Sequence, residues 1–469
     1  MTILNLTAKA QLDALQKGRI SSVELLELTI ARAESLVPSI NPFALTLYQQ
    51  ARESAVTADE KLANGTGGKL CGLPVTIKDS QFFAGHRCAN GSKTLENFIP
   101  QETCHAIKLL EAEDAVIFAK TTCPEFSLTG ITQSNLYGLT TNPWDINRTC
   151  GGSSGGAGAA VASGLGAFSL GGDGGGSIRI PSAFCGVVGF KPSFGAIPRE
   201  PCFPSWQSIV SYGPITRSVE DARIFFEILG ESHTEIQSLQ PTNRYIVSED
   251  LGFAPVDDCI RRHFRALVEK MNLNDIETIA DQPGLPSSVI TWAVTASYDA
   301  YNQVRQKTYD QADVGETATA FLNFGAEFSA EHFNEAQAYR DVIRQTYQEM
   351  FERNQSQILI TPTLGCEAFE HGSIHPKQIG ETPIELPWID WAGFLYDANL
   401  AELPACAIPM GVSDNGMPVS VQILGPAGSD WAVLRVAEQL ENLIGWDNSI
   451  VTPIVHSNPA VSAQKAVGH

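Results

Sequence analysis

The stretch from residue 151 to residue 192 reads G-G-S-S-G-G-A-G-A-A-V-A-S-G-L-G-A-F-S-L-G-G-D-G-G-G-S-I-R-I-P-S-A-F-C-G-V-V-G-F-K-P. Extended to Gly195, it holds 15 of the chain's 40 glycines. Between the glycines stand Ala, Val, Leu, Ile and Phe, not the serine and charge of a tether. Glycine-rich and apolar together mean backbone packed closely against backbone. The pattern predicts a helix over 154–163, a buried strand over 167–170, a tight loop over 171–177 and a helix starting near Pro181.

The flanking segments alternate strand and helix patterns. Upstream, Ser21 and Glu24 fit a capping box, and apolar residues then recur at Val23, Leu26, Ile30 and Ala33. The run Leu73-Pro74-Val75-Thr76-Ile77-Lys78-Asp79 is β-prone and ends in charge, and 115–119 is a second buried-strand pattern. Strand-like runs return at 357–361, 405–409 and 419–424, with a helix over 431–443. This alternation predicts an α/β fold with a mixed or parallel sheet. From about 235 to 355 charge and helix formers increase, and 329–353 is a long amphipathic stretch. That segment reads as an insertion or cap.

Composition narrows the function classes. The 469 residues carry 31 Lys+Arg against 52 Asp+Glu, a net charge of −21, with 43% hydrophobic and 18% charged residues. Soluble domains average about 25% charge, so this chain is interior-rich and not disordered. An acidic surface without a Lys/Arg run disfavours a nucleic-acid partner. The N-terminus shows no signal-peptide pattern, and the longest uncharged tract, 149–172, is too glycine-broken for a membrane span. A cytoplasmic location is expected. The ten cysteines form no C-x-x-C pair, so neither a zinc site nor a redox motif is expected. Free buried thiols are expected over five disulfides.

Three local features can carry nucleophilic chemistry. Gly174-Gly175-Gly176-Ser177 leaves backbone N–H groups uncovered by side chains, which suits an oxyanion hole or simply a tight turn. Gly151-Gly152-Ser153-Ser154-Gly155 matches the G-x-S-x-G elbow of α/β-hydrolases. An elbow follows a strand, however, and N-P-W-D-I-N-R-T-C before it (142–150) is polar and turn-like. A helix N-terminus is the better reading. Lys78 ends an apolar run, where burial would lower its pKa and make it a base; most lysines are solvated surface charges.

Taken together, residues 151–195 and P-V-T-I-K-D (74–79) are similar to the amidase signature family. The similarity extends to K-T-T-C-P-E-F-S (120–127), I-T-P-T (360–363) and N-L-A-E-L-P-A-C-A-I-P (399–409). Only about 235–355 is unlike a common pattern. The resemblance implies one large domain over 1–457, with a central mixed, twisted sheet covered by helices on both faces. Its signature core would be 70–230, a mostly helical variable substrate-side segment 235–355, and the core completion 356–457. A flexible tail would follow at 458–469.

The resemblance also implies a Ser–cisSer–Lys triad. Ser177 would be the nucleophile, Ser153 the bridging serine after a cis Gly152–Ser153 bond, and Lys78 the base. The amides of Gly174, Gly175, Gly176 and Ser177 would receive the oxyanion. Asp173 and Arg179 would pair beneath the loop, Ser154 would cap the next helix, and Ser127 would line the acyl pocket. The family often has Asp-Thr-Gly-Gly-Ser or Asp-Ile-Gly-Gly-Ser where this chain has Asp173-Gly174-Gly175-Gly176-Ser177. Gly174 then implies a more mobile loop or room for a bulkier group. No metal or cofactor is expected, and no membrane partner. The expected partner is a small-molecule amide, with a second copy of the chain left open.

The substrate expectation follows the aromatic residues of the middle segment: Trp292, Tyr298, Tyr301, Phe321 and Phe324, then Trp388, Trp391 and Phe394. If some line the cleft, an apolar or aryl amide fits. The alternatives are a glutaminase (A-type) subunit of a tRNA-dependent amidotransferase and, from another class, a non-catalytic binding scaffold. An α/β-hydrolase using Ser153 would require an essential histidine.

Overall fold

Eleven strands form one mixed sheet in a computed structural model that describes residues 2–230, 243–285, 288–305, 313–386 and 390–452. In chain order they are β1 (Phe43–Thr46), β2 (Pro74–Lys78), β3 (Val116–Thr121), β4 (Phe168–Asp173), β5 (Val188–Lys191), β6 (Ser211–Thr216), β7 (Arg244–Val247), β8 (Glu277–Ala280), β9 (Leu359–Pro362), β10 (Ala405–Val412) and β11 (Pro418–Leu424). Their order across the sheet is β1-β3-β2-β4-β6-β5-β10-β11-β9-β7-β8. β2 runs parallel to both β3 and β4, and β7 runs parallel to β8 and β9; the other pairs are antiparallel. Helices cover both faces. Every residue of β2, β3 and β4 is buried, which explains their continuous apolar runs without alternation.

The signature segment folds in the expected order with shifted boundaries. A helix spans Gly155–Ala162 and a second spans Arg179–Cys185. The strand between them runs on to Asp173, beyond the expected 170, because Gly171, Gly172 and Asp173 pair with Gly213, Tyr212 and Ser211 of β6. The loop therefore shrinks to residues 174–178. Strands β5 and β6 escape a sequence reading, since V-G-F-K is short and S-Y-G-P-I-T carries the turn signals Gly and Pro. The capping box at Ser21 and Glu24 forms, heading a helix over Ser22–Ile40.

Segment 235–355 is mostly helical where described, with helices Asp258–Asn272, Val289–Arg305, Glu316–Ala326 and Ala330–Asn354. It also adds β7 and β8 to the edge of the sheet. Residues 235–242, 286–287, 306–312 and the expected tail 458–469 lie outside the described residues. No described helix is long and apolar enough to cross a membrane. The ten cysteines are free thiols, eight of them buried.

Candidate active site

The carboxyl ends of the parallel strands β2 and β4 emerge side by side, fixed by the register Val75↔Phe168 to Ile77↔Leu170. Strand carboxyl ends are where open α/β sheets commonly bind ligands. Lys78, the last residue of β2, is 2% exposed. Its Nζ donates a 2.7 Å hydrogen bond to Ser153 Oγ. Burial lowers its pKa to about 8, against the opposing pull of Cys123, Asp173 and Asp79. Gln81 clamps the strand end: its side chain accepts from the Lys78 amide at 3.0 Å and donates to the Gly171 carbonyl at 3.2 Å.

Ser153 follows a cis Gly152–Ser153 peptide bond and is itself buried. Ser154 stands at the N-cap position of the next helix but caps nothing. Its Oγ contacts the carbonyl and amide of Gly172 at 3.2 and 3.3 Å. Thr132 does the capping instead, accepting from the Gly155 amide at 3.1 Å while donating to the Gly151 carbonyl at 2.8 Å. The Ser154 expectation fails because its hydroxyl is drawn to β4, while a threonine from a distant loop fills the N-terminal position.

Asp173 and Arg179 close the loop that carries Ser177. Both side chains are fully buried, and Arg179 Nη2 and Nε donate to the two Asp173 oxygens at 2.9 and 3.0 Å. Burial alone would raise the Asp173 pKa. The Arg179 guanidinium, helped by Lys191 and the Gly176 amide, instead holds it well below the usual carboxylate range. The carboxylate also accepts from the amides of Gly176 (2.7 Å) and Ile178 (3.2 Å) and from Asn399 Nδ2 (3.1 Å). Gln422 accepts from Arg179 Nη1 and Asn399 from Nη2, at 2.7 Å each. The bond to Gly176 corrects the expected donor set: that amide already has an acceptor. The amides of Gly174, Gly175 and Ser177 have none among the described residues. Gly176 sits at φ +112, where a side chain would be strained.

A cavity of ≈ 60 Å³ opens over this loop. Lys78, Ser153, Gly174, Ser177 and Ser127 line it, and Ser177 is 8% exposed. The hydroxyl of Ser127 donates to Asn90 Oδ1 at 2.8 Å. The aromatic walls are Phe126, Phe203, Trp206 and Tyr212. This corrects the expected source of the walls. Of the eight aromatics singled out in the middle segment, Trp388 lies outside the described residues and the other seven are not in the lining. Trp292 acts from behind. Its Nε1 donates to the Gly174 carbonyl at 2.7 Å, and its ring stacks on Tyr396 with centroids 4.4 Å apart.

Gly174 accounts for the Trp206 wall. A Cβ at 174 would lie 2.6 Å from Trp206 Cε3, so the ring fills the space that a side chain would take. The space is occupied, and the loop is held by aromatic packing rather than freed. Trp206 Nε1 donates to the Ala296 carbonyl at 2.8 Å, and the Trp206 amide donates to Asp299. Sequence reasoning missed Gln81, Asn90, Thr132, Arg199, Trp206 and Asn399. Only Asn399 stood in a quoted motif; Gln81 bonds the Lys78 amide three residues away, outside any quoted motif.

Among the described residues no histidine lines the cavity, and the residue that bonds Ser153 is a lysine. Among the described residues no group of three or more His, Cys, Asp or Glu side chains could hold a metal ion. The arrangement can take a proton from a serine, present a second serine to an electrophile, and offer backbone N–H groups to an oxyanion.

The sequence profile of the family described as Amidase matches residues 24–434. The A subunit of the glutamyl-tRNA(Gln) amidotransferase of Fusobacterium nucleatum is 30% identical, covering 94% of this chain and 97% of its own. Its namesake from Carboxydothermus hydrogenoformans is 31% identical over 94% of this chain and 98% of its own. Among solved structures, a bacterial aryl acylamidase of the amidase signature enzymes superposes with a TM-score of 0.87, at 24% identity over 96% of this chain and 99% of its own.

Proposed function

The chain belongs to the amidase family, and from that premise we propose that it cleaves a carboxylic amide through an acyl-enzyme on Ser177. The observation that carries the reading is the 2.7 Å bond from buried Lys78 Nζ to Ser153 Oγ, on the same cavity as Ser177. Neutral Lys78 takes the proton of Ser153, and Ser153 takes that of Ser177. The Ser177 Oγ then attacks the amide carbonyl, and the C=O electron pair moves onto oxygen. The free amides of Gly174, Gly175 and Ser177 face the developing charge; one such donor is typically worth about 3–4 kcal/mol. On collapse the C–N bond breaks, Ser153 hands its proton to the leaving nitrogen, and Lys78 returns the proton it took to Ser153 and is neutral again. Water repeats the sequence on the acyl ester and frees the carboxylate.

The walls Phe126, Phe203, Trp206 and Tyr212 favour an apolar or aryl group on the amide. A second reading is favoured by the named relatives, which are A subunits of an amidotransferase. In that reading the amide is glutamine, the released ammonia passes to a partner protein, and the chain works in a complex. A hydrolysis panel of aliphatic amides, anilides and glutamine, with mass mapping of a fluorophosphonate label, tests both. Labelling of Ser177 together with anilide turnover by the chain alone supports the first. Turnover of glutamine alone supports the second. A label on Ser153 or on a cysteine refutes the Ser177 mechanism.

A further inference from the structure

Arg199 lies in the connection between β5 and β6 and lines the cavity that holds Lys78, Ser153 and Ser177. The residue is 9% exposed. A buried guanidinium is costly unless carboxylates and hydrogen bonds compensate it. Arg179, beneath the loop, is compensated by two bonds to one carboxylate and two to side-chain amides. Arg199 is not compensated in this way. Its Nη2 donates to the Gln207 carbonyl at 2.6 Å, and its Nη1 lies 3.7 Å from Cys202 Sγ. Its one carboxylate neighbour among the described residues, Glu200 Oε1, is 3.7 Å from Nε, beyond hydrogen-bond reach, on a side chain that is 68% exposed. A guanidinium has five N–H donors; Nη1 and Nη2 of Arg199 meet one partner each, and neither partner is a carboxylate.

The direction of its field agrees. Burial pushes the Cys202 thiol and the Tyr212 hydroxyl up, and the Arg199 charge pulls both back down. Both groups line the cavity, so the charge acts on that space. Phe203 and Trp206 stand in the same lining, giving an apolar surface beside a cation.

We propose that Arg199 binds a carboxylate carried by the substrate, so that the preferred substrates are amides bearing a carboxylate beside the group that packs on Phe203 and Trp206. This rests on the amidase reading and adds a recognition element to it. The carboxylate has two possible sources with one chemistry: free glutamine, or an anilide or alkyl amide that ends in a carboxylate.

Matched pairs separate these sources. Glutaranilate is compared with valeranilide, and glutamine with 4-aminobutanamide, which lacks only the carboxylate. Hydrogen bonds to charged groups predict a KM about 10–100-fold lower for the charged member of whichever pair is turned over. Arg199→Gln should raise the KM of the charged member towards that of the neutral one, while kcat/KM of the neutral member moves far less. Arg199→Lys should keep part of the preference. A wild-type enzyme that treats both members of each pair alike overturns the proposal, as does an equal rise of both KM values in Arg199→Gln. Calorimetry on Ser177→Ala with glutaranilate and valeranilide reads binding without turnover. Preferential binding of glutaranilate upholds the proposal even where no amide is cleaved, a result that would instead count against the amidase reading. The same measurement with glutamine and 4-aminobutanamide reads the other source, and no preference for the charged member in either pair overturns the proposal, whether or not Arg199→Gln folds.

Discussion

Replacing Asp173 by Asn tests whether the ion pair under the loop holds the catalytic geometry. The carboxylate accepts from Arg179 at 2.9 and 3.0 Å, from the amides of Gly176 and Ile178 at 2.7 and 3.2 Å, and from Asn399 at 3.1 Å. Asn keeps the size but loses the charge, and its amide presents N–H to one of these donors. Arg179, fully buried, then lacks its only carboxylate partner among the described residues. Breaking a buried pair by removing one member costs about 3–5 kcal/mol. At about 1.4 kcal/mol per factor of ten, the unfolding equilibrium shifts by about two to three and a half orders of magnitude. Denaturant titrations of wild type and Asp173→Asn measure that cost.

The same pair sets a pH dependence with a definite sign. The folded-state pKa of Asp173 is depressed, so its contribution is present above the unfolded-state value, near about 4. It is lost as pH falls below that value towards the folded-state pKa. The stability gap between wild type and Asp173→Asn should therefore narrow on acidification. Activity measured on the folded fraction should also fall, because the Gly176 bond that shapes the loop is weakened. A loss of stability below about 1 kcal/mol, in the range of an exposed pair, would refute the reasoning. So would full activity of folded Asp173→Asn.

Three further outcomes are expected. Lys78 must be neutral to accept a proton, so kcat/KM should rise about tenfold per pH unit below about 8 and level off above it, as read from a pH profile. Lys78→Ala and Ser177→Ala should each lower kcat/KM by several orders of magnitude with unchanged circular dichroism, and Ser153→Ala severely but less, since a water can partly replace its hydroxyl. Gly174→Thr drives a Cβ to within 2.6 Å of Trp206 Cε3, costing about 1–3 kcal/mol of overpacking. Combined with Trp206→Ala the costs should be strongly non-additive in a denaturation double-mutant cycle.

Much of the site was legible because the constraint there is local. Glycines interleaved with apolar residues over 151–195 announce close backbone packing, and an apolar run ending in Lys78 announces a buried lysine. The order helix, strand, loop, helix follows from that stretch alone. The register that brings β2 beside β4 belongs to the tertiary structure, as does the partner of every group in the loop. The Gly176 amide goes to Asp173 because a buried carboxylate collects the nearest donors. Trp292 reaches the Gly174 carbonyl across 118 residues of chain, and Asn399 reaches Asp173 across 226. Thr132 rather than Ser154 meets the helix N-terminus, and Phe203 and Trp206 rather than the aromatics of the middle segment wall the cavity. Spacing along the chain records which backbone conformations a segment can adopt. It does not record which distant side chain fills the space that a missing Cβ leaves, and at Gly174 that filling decides the shape of the cavity.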